Sequence, residues 1–371
     1  MGRLIIQPPH YLQFDLQLIN YKKVARGKIV SKENTAIDAA ETFKDRATTK
    51  QKVQTTLHNY PWLSSAAVLI AAVFVFNFGN ENFLTTNNLS LILQQTAVIG
   101  AIAAGQTLII LTAGIDLSCG AIAIFASMVM AKTAFVNGWP GWAAFLLGIA
   151  VGTGAGAFNG WLITKVDLPP FIVTLGTFNV FSALTLFYAT GRTIMDKELS
   201  PMFLYLGEPI TLFSNFRITY GVLLVIFMYI ILAFALRYTA WGRHVYAVGD
   251  DIEAARLAGI QVKRVLMSVY VSAGFIFAIT SWIIIGRVGA ASPNSGSNLN
   301  LDSITAVVIG GTSLFGGRGA IFGSLIGAVI VGVFRNGLTL AGVDLYYQTF
   351  AVGLLIITAV SIDQWIRKAR V

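Results

Sequence analysis

Apolar runs of membrane-spanning length follow one another from residue 62 almost to the C-terminus, and this pattern constrains the fold more than any other feature. A helix needs about 20 apolar residues to cross a bilayer, where every backbone polar group must be bonded internally. Only 12% of the 371 residues are charged, against about a quarter in soluble domains. The chain is therefore predicted to be an all-α integral membrane protein.

Ten runs are candidate transmembrane segments, and one of them, 301–315, is too short to cross alone. The ten are 62–79, 89–111, 117–136, 141–164, 171–190, 218–237, 265–286, 301–315, 319–337 and 345–363. We therefore expect about ten transmembrane segments that include short or broken helices.

The positive charges indicate how these segments are oriented. With the N-terminus inside, 20 of the 26 Lys and Arg residues lie on the inner side: ten in residues 1–60, Lys165, five in residues 237–264, Arg318 and three at the C-terminus. Inner loops of membrane proteins carry an excess of Lys and Arg, so both termini are predicted to be cytoplasmic. Residues 1–60 hold ten Lys or Arg and five Asp or Glu residues and no apolar run long enough to cross a bilayer. We expect a cytoplasmic extension there, partly helical or disordered, before a transmembrane domain over 61–371.

A polar island, residues 237–264, lies between two uncharged apolar runs and holds five basic and three acidic side chains. Asp250 is the expected N-cap of a short helix within it, with Glu253 at the capping-box spacing. Gly259 suits a left-handed residue just after the end of that helix. The pattern fits either a docking knob for a partner protein or an ordinary solvated loop that contains a turn of helix.

Two further polar stretches interrupt the apolar sequence: LTAGIDLSCGA (111–121) and the glycine-rich segment 291–324. In the first, Asp116 either caps the helix that restarts after it or lines a path, and the restart favours capping. In the second, Asp302 or Ser303 caps a short helix that a glycine-rich break follows. Interrupted helices at membrane depth are tolerated only where protein or a water-filled cavity surrounds them.

Common catalytic and metal-binding patterns are missing from the sequence. It has no G-x-x-x-x-G-K-[ST] phosphate loop, no H-E-x-x-H and no G-x-S-x-G, and the three histidines, His10, His58 and His244, lie outside the apolar runs. We expect no catalytic residues, no metal site and no cofactor held by this chain.

The single cysteine, Cys119, is interpreted as a small buried hydrophobic residue. The net charge of +9 reflects membrane orientation and not nucleic-acid binding. A bundle without energy-converting residues of its own implies an energy-supplying partner.

Five stretches, in one order along the chain, match a known family. They are GQTLIILTAGIDLSCGAI (105–122), LPPFIVTLGTF (168–178), GRHVYAVGDDIEAARLAGIQVKRV (242–265), SPNSGSNLNLDSITAVVIGGTSLFGGRGAIFGSLIGA (292–328) and NGLTLAGVDLYYQ (336–348). In these stretches the chain resembles the permease subunit of bacterial ABC importers for simple sugars, the ribose, xylose and fructose type. It departs from the family in the length of its N-terminal extension and in Cys119, where a small aliphatic residue is usual.

The resemblance implies a transporter in the bacterial cytoplasmic membrane. Its parts would be two permease copies, expected to be a homodimer, two ABC ATP-binding subunits that bind the ATP, and a periplasmic sugar-binding protein. The polar island would contain the coupling helix that seats on the ATP-binding subunit, and the external turn 287–300 could contact the sugar-binding protein. The docking residues that the resemblance implies are Asp250, Asp251, Glu253, Ala254, Ala255, Arg256 and Gly259.

A neutral sugar needs a path with hydrogen-bonding groups and little charge. The candidates are polar residues on or between the apolar runs: Gln94, Gln95, Gln106, Thr107, Asp116, Asn159, Thr174, Thr177, Asn179 and Asp302. Trp161 and Phe178 could stack against a sugar face. For each of these residues the alternative is a hydrogen bond between helices or packing within the bundle.

The leading hypothesis is an importer permease that moves a monosaccharide inward. The alternative is an ion-coupled secondary sugar carrier, which rests only on Asp116 and Asp302 at the helix breaks. A membrane-embedded enzyme would need a catalytic constellation within the apolar runs, and the sequence offers none. The sequence does not distinguish ribose, xylose, fructose, galactose and related ligands from one another.

Overall fold

The computed structural model describes residues 61–213, 216–296 and 298–367, so the expected cytoplasmic extension over 1–60 lies outside the described residues. Within them, ten helices coincide with the ten predicted apolar runs, and three short helices are additional. The helices are α1 (Pro61–Gly79), α2 (Thr86–Leu111), α3 (Cys119–Phe135), α4 (Gly141–Lys165), α5 (Pro170–Ala189), α6 (Pro201–Leu204), α7 (Tyr220–Tyr238), α8 (Ala240–Asp250), α9 (Ile252–Leu257), α10 (Val262–Val288), α11 (Leu299–Ile309), α12 (Ile321–Leu340) and α13 (Leu345–Arg367).

Six of these helices, α2, α4, α5, α7, α10 and α12, are long and apolar enough to cross a membrane, judged by length and composition among the described residues. Three others, Ser65–Gly79 within α1, α3 and α11, are apolar but shorter. At a rise of about 1.5 Å per residue, α11 extends roughly 16 Å, about half of a bilayer's hydrocarbon core. The short helix predicted for this run is present, and the fold is a helical membrane bundle.

Four short strands lie in the connections that leave α5 and α10 at the ends opposite the polar island. Strands β1 (Ile194–Met195) and β4 (Ala290–Ala291) pair antiparallel, and so do β2 (Pro209–Phe213) and β3 (Phe216–Thr219). The sequence did not predict these strands. They pair the backbone groups of loop segments that no helix covers.

Small residues let α4 and α10 pack with their backbones close together. A Cβ added to Gly156 would lie 2.8 Å from the Cα of Gly274, and one added to Gly152 would lie 2.7 Å from the Cβ of Ala278. Real Cβ atoms do not approach this closely, so larger side chains would force the two helices apart. Close packing of this kind holds helices together in lipid, where burial of apolar surface contributes little.

Helix α2 runs through the middle of the bundle, and every residue from Thr96 to Leu111 is buried. Two polar pairs join it to α12. The amides of Asn88 and Asn336 exchange hydrogen bonds of 2.9 and 2.8 Å, and the Thr107 hydroxyl donates to Ser324 Oγ at 2.7 Å. These bonds offset the cost of burying the polar groups away from solvent.

Candidate functional site

The polar island folds into two helices, α8 and α9, that share one residue at their corner. Asp251 ends α8 and begins α9, with extended backbone angles of φ −154° and ψ 112°. Its carboxylate accepts hydrogen bonds from the backbone N–H groups of Glu253 at 2.9 Å and Ala254 at 3.0 Å. Two donors that would otherwise lack a partner at the start of the helix are thereby satisfied.

The predicted N-cap was wrong by one residue. Asp250 is the last residue of α8, and α9 takes its cap from the next carboxylate. The capping-box role expected of Glu253 fails for the same reason, because Glu253 is then the second helical residue and not the third. Its carboxylate instead pairs with Arg256 Nη1 at 3.1 Å.

The end of α9 was predicted correctly. Gly259 adopts φ +82°, and no atom lies within 4 Å of a Cβ built on it, so the backbone angle and not lack of space calls for glycine. Its N–H donates to the Arg256 carbonyl at 3.0 Å, and the N–H of Ile260 donates to the Ala255 carbonyl at 3.0 Å. These two bonds are those of a Schellman motif, which terminates the helix.

The surface of α9 combines charge with unusual apolar exposure. Leu257 is 89% exposed and Ile252 is 41% exposed, and the charged side chains of Glu253 and Arg256 lie between them. Ala255 is only 4% exposed and faces the bundle. Six of the seven residues that the resemblance assigned to docking are therefore exposed, and Ala255 supports the helix from beneath.

A buried polar cluster forms at the first interrupted helix, between α2 and α3. Asp116 is 1% exposed, and its Oδ1 accepts hydrogen bonds from the backbone N–H and the hydroxyl of Ser118 at 2.7 and 2.6 Å. Asn159 Nδ2 donates to Ser118 Oγ at 2.9 Å, and the Thr174 hydroxyl donates to the Ile115 carbonyl at 2.9 Å. The carboxylate thus holds the turn that precedes α3, whose N-cap is Ser118, so the expectation that Asp116 itself caps the helix was wrong. Three of the predicted path residues, Asp116, Asn159 and Thr174, meet at this turn.

The second interrupted helix places Asp302 against Arg335. Helix α11 begins at Leu299, so neither Asp302 nor Ser303 caps it, and that expectation was wrong. Asp302 is in the first turn of α11, and its carboxylate accepts from Arg335 Nη2 of α12 at 2.6 Å. Sequence reasoning missed Arg335 as a partner. It is the only charged residue between Arg318 and Asp344, and an isolated charge in an apolar run is the signal that could have identified it.

The remaining predicted path residues are scattered. Gln106 is fully buried, and neither of its amide atoms has a hydrogen-bond partner among the described residues. Thr177 is buried, whereas Asn179 is exposed and bonds back to its own helix at 3.0 Å. Gln94 and Gln95 are half-buried.

The two aromatic candidates do not join the buried polar residues. Trp161 is half exposed and stacks on Phe158, and Phe178 packs against the main apolar core. A cavity of about 540 Å³ lies between α7 and the start of α12, and none of the predicted path residues lines it. In the part of the chain that the structure describes, no group of three His, Cys, Asp or Glu residues is placed to hold a metal ion.

Comparison with known proteins assigns the chain to a family. A family model described as branched-chain amino acid transport system / permease component matches residues 88–360. The chain belongs to this permease family. The match runs from α2 into α13 and includes both interrupted helices and the polar island.

Named relatives of this permease cover most of its length. It is 45% identical to the fructose import permease protein FrcC of Rhizobium meliloti over 90% of this chain and 94% of that protein. It is 40% identical to the ribose import permease protein RbsC of Bacillus subtilis, over 80% of this chain and 90% of that protein. It is 36% identical to the D-allose transport system permease protein AlsC of Escherichia coli, over 83% and 93%. No solved structure matches the permease.

Proposed function

We propose that this chain is the membrane-spanning permease subunit of an ABC importer that carries a monosaccharide across the bacterial cytoplasmic membrane. The observation that carries this proposal is the 45% identity to a fructose import permease over 94% of that protein's length. Relatives named for ribose and allose import support a sugar as the cargo. The permease itself is not an enzyme, and ATP is bound and hydrolysed by a separate ABC ATP-binding subunit.

The docking element in this proposal is α9, with contacts made by Asp250, Asp251, Glu253, Ala254, Arg256 and Gly259. Its caps at both ends make it a rigid body, and Leu257 and Ile252 give it apolar surface that a protein cleft would cover. Ala255 supports the helix from the bundle side. The complex also includes a second permease copy and a periplasmic sugar-binding protein, which the external turn 287–300 contacts.

The orientation in this proposal has both termini in the cytoplasm and about ten transmembrane segments, of which α11 is a half-span. The ten helices over the predicted runs and the distribution of Lys and Arg support it. Residues 1–60 form the cytoplasmic extension that precedes the permease domain of 61–371.

The sugar path in this proposal passes the interrupted helices, where Asp116, Asn159 and Thr174 meet, and the buried amide of Gln106, which has no hydrogen-bond partner within the described part of the chain. Buried polar groups that are not fully bonded are uncommon, and those that persist are often functional. Thr177, Gln94, Asn179 and Asp302 are weaker candidates because they are bonded or lie apart from this cluster.

The alternative of an ion-coupled carrier loses its structural support. Asp116 accepts hydrogen bonds from Ser118 in the turn before α3, and Asp302 is paired with Arg335.

The experiment that separates the two functions is uptake of labelled fructose, ribose and allose by cells that express the transporter. ATP depletion is expected to stop uptake, and an ionophore with ATP held constant is expected to leave it unchanged. The reverse result would make the protein a carrier.

A direct test of docking uses Glu253→Arg, with Glu81→Arg as the matched control on the loop between α1 and α2. Both glutamates are exposed, and Glu81 lies at the opposite end of the bundle from the polar island. Glu253→Arg is expected to abolish capture of the ATP-binding subunit by the tagged permease, and Glu81→Arg to leave capture intact. Equal capture by both variants would remove α9 from the docking surface.

A further inference from the structure

The last turn of α8 is wedged between two interrupted parts of the bundle. A Cβ added to Gly249 would overlap the Leu111 carbonyl at the end of α2, and it would lie 2.7 Å from the backbone N of Gly317. Gly317 belongs to the glycine-rich loop that joins α11 to α12. Only a residue without a side chain at position 249 lets all three segments meet.

A hydrogen bond joins the two segments that Gly249 touches. The N–H of Gly317 donates to the Leu111 carbonyl at 3.0 Å. Leu111 is the last residue of α2, and carbonyls at a helix end need a partner outside the helix. The end of α2 and the α11–α12 loop are therefore one bonded unit, and α8 rests on the atom they share.

Two left-handed glycines shape the loop for this contact. Gly316 and Gly317 adopt φ +80° and φ +69°. A Cβ on Gly316 would lie 2.6 Å from the Gly249 carbonyl oxygen and 2.8 Å from the backbone N of Ala113. Substitution at Gly316 would meet both angular strain and collision, so the approach of the loop to α8 depends on glycine.

Tyr246, one turn before Gly249, makes a second connection from α8 to the same loop. Its hydroxyl donates to the Gly319 carbonyl at 3.0 Å, two residues before α12 begins. Burial raises the pKa of the Tyr246 phenol above its usual value, so the hydroxyl keeps the proton that it donates. One face of α8 thus holds the end of α2 through Gly249 and the start of α12 through Tyr246.

The connection to α9 is equally short. Asp251 is the only residue between α8 and α9, and it caps the second helix while it ends the first. A displacement of α9 therefore passes to α8 without a flexible linker that could absorb it.

We propose that Gly249 and Tyr246 are positioning residues that transmit movement of α9 to the end of α2 and the start of α12 together. This inference rests on the proposed function, because it takes α9 to be the element that the ATP-binding subunit moves. The two residues do not touch the sugar. They make the interrupted helices that flank the sugar path move as one unit when the partner closes.

The test reconstitutes the permease with its ATP-binding subunit and sugar-binding protein in proteoliposomes. It measures labelled fructose, ribose or allose imported per ATP hydrolysed. Tyr246→Phe removes one hydroxyl and nothing else, and loss of that bond is expected to lower the ratio about threefold or more. Assembly and ATP hydrolysis are expected to stay near wild type, which a general folding defect would not allow.

Gly249→Ala is expected to lower the same ratio more strongly, by about tenfold, because the new Cβ pushes α8 off both partners. Gly154→Ala is the matched control, since no atom lies within 4 Å of a Cβ at that position on α4. If Gly249→Ala fails to assemble, the result for Tyr246→Phe decides alone.

A wild-type ratio in Tyr246→Phe overturns the inference, and so does a variant that loses hydrolysis and import in equal proportion. Failure of the wild-type complex to import any of the three sugars with ATP would instead overturn the proposed function. The two failures are therefore distinct.

Discussion

Asp302 of α11 and Arg335 of α12 form an ion pair inside the bundle, with 2.6 Å between Oδ1 and Nη2. The side chains are 4% and 23% exposed. Each charge stabilises the other here, because either one alone would be buried in a medium of low dielectric constant without a counter-charge. The bond joins the first turn of the short helix α11 to the later part of α12, so it fixes how the two helices lie together.

This pair predicts strong coupling between the two side chains. Asp302→Asn and Arg335→Gln are each expected to lower stability by about 3 kcal/mol, since each leaves one buried charge unpaired. The double variant is expected to be more stable than either single variant. The measurement is the thermal stability in detergent of the wild type, the two single variants and the double variant. If the stability losses of the single variants add up in the double variant, the two charges do not interact and each is solvated independently.

The cap of α9 predicts a contrast between adjacent aspartates. Asp251→Ala removes the acceptor of two backbone N–H groups and is expected to cost the helix about 1 kcal/mol. Asp250→Ala is the matched control because its carboxylate does not cap α9. Hydrogen exchange at the amides of Glu253 and Ala254 is the measurement. Faster exchange in Asp250→Ala than in Asp251→Ala would move the cap back to the residue that the sequence predicted.

The error at Asp250 shows what local sequence can decide. Either of two adjacent aspartates can cap a helix, and the choice depends on which one leaves the helical backbone angles. Here α8 extends through Asp250, because its end packs on Leu111 and Gly317 from distant parts of the chain. A tertiary contact therefore sets the boundary, and no local pattern records it. Gly259 was predictable because its positive φ is a local requirement.

The apolar runs predicted the positions of ten helices, because a span of lipid imposes a length and composition that sequence shows directly. The polar residues within them were harder to assign. Thr107 was a path candidate and instead bonds Ser324 of α12 at 2.7 Å, while Gln106 beside it has no partner among the described residues. Successive side chains on an α-helix are rotated by about 100° and so meet different neighbours, and only the packed bundle shows which group has a hydrogen-bond partner.

The buried amide of Gln106 leads to opposite expectations for stability and for transport when it is replaced. Its amide is fully buried without a described partner, so Gln106→Leu is expected to keep or raise the melting temperature, because an unpaired buried polar group costs about 1–3 kcal/mol. Sugar uptake is expected to fall, because the proposed sugar path includes this amide.

Thr96→Val is the control for this prediction. Thr96 is also buried without a described partner on α2, but it packs against Gly332 of α12, so its substitution is expected to leave uptake unchanged. Unchanged uptake in Gln106→Leu would remove Gln106 from the path.

The orientation of the bundle predicts which added thiols react from outside the cell. The chain has one cysteine, Cys119. Because Cys119 is fully buried, it is not expected to react with the labelling reagent. Glu81→Cys, on the loop after α1, is expected to react with a membrane-impermeant maleimide in intact cells, because a cytoplasmic N-terminus places that loop outside. Glu253→Cys, on α9, is expected to react only after the cells are opened. Both glutamates are exposed in the folded chain, so only the side of the membrane on which each lies distinguishes them.

The opposite result, labelling of Glu253→Cys in intact cells with Glu81→Cys protected, would mean that the orientation is inverted. Helix α9 would then lie outside the cell, where no ATP-binding subunit could reach it.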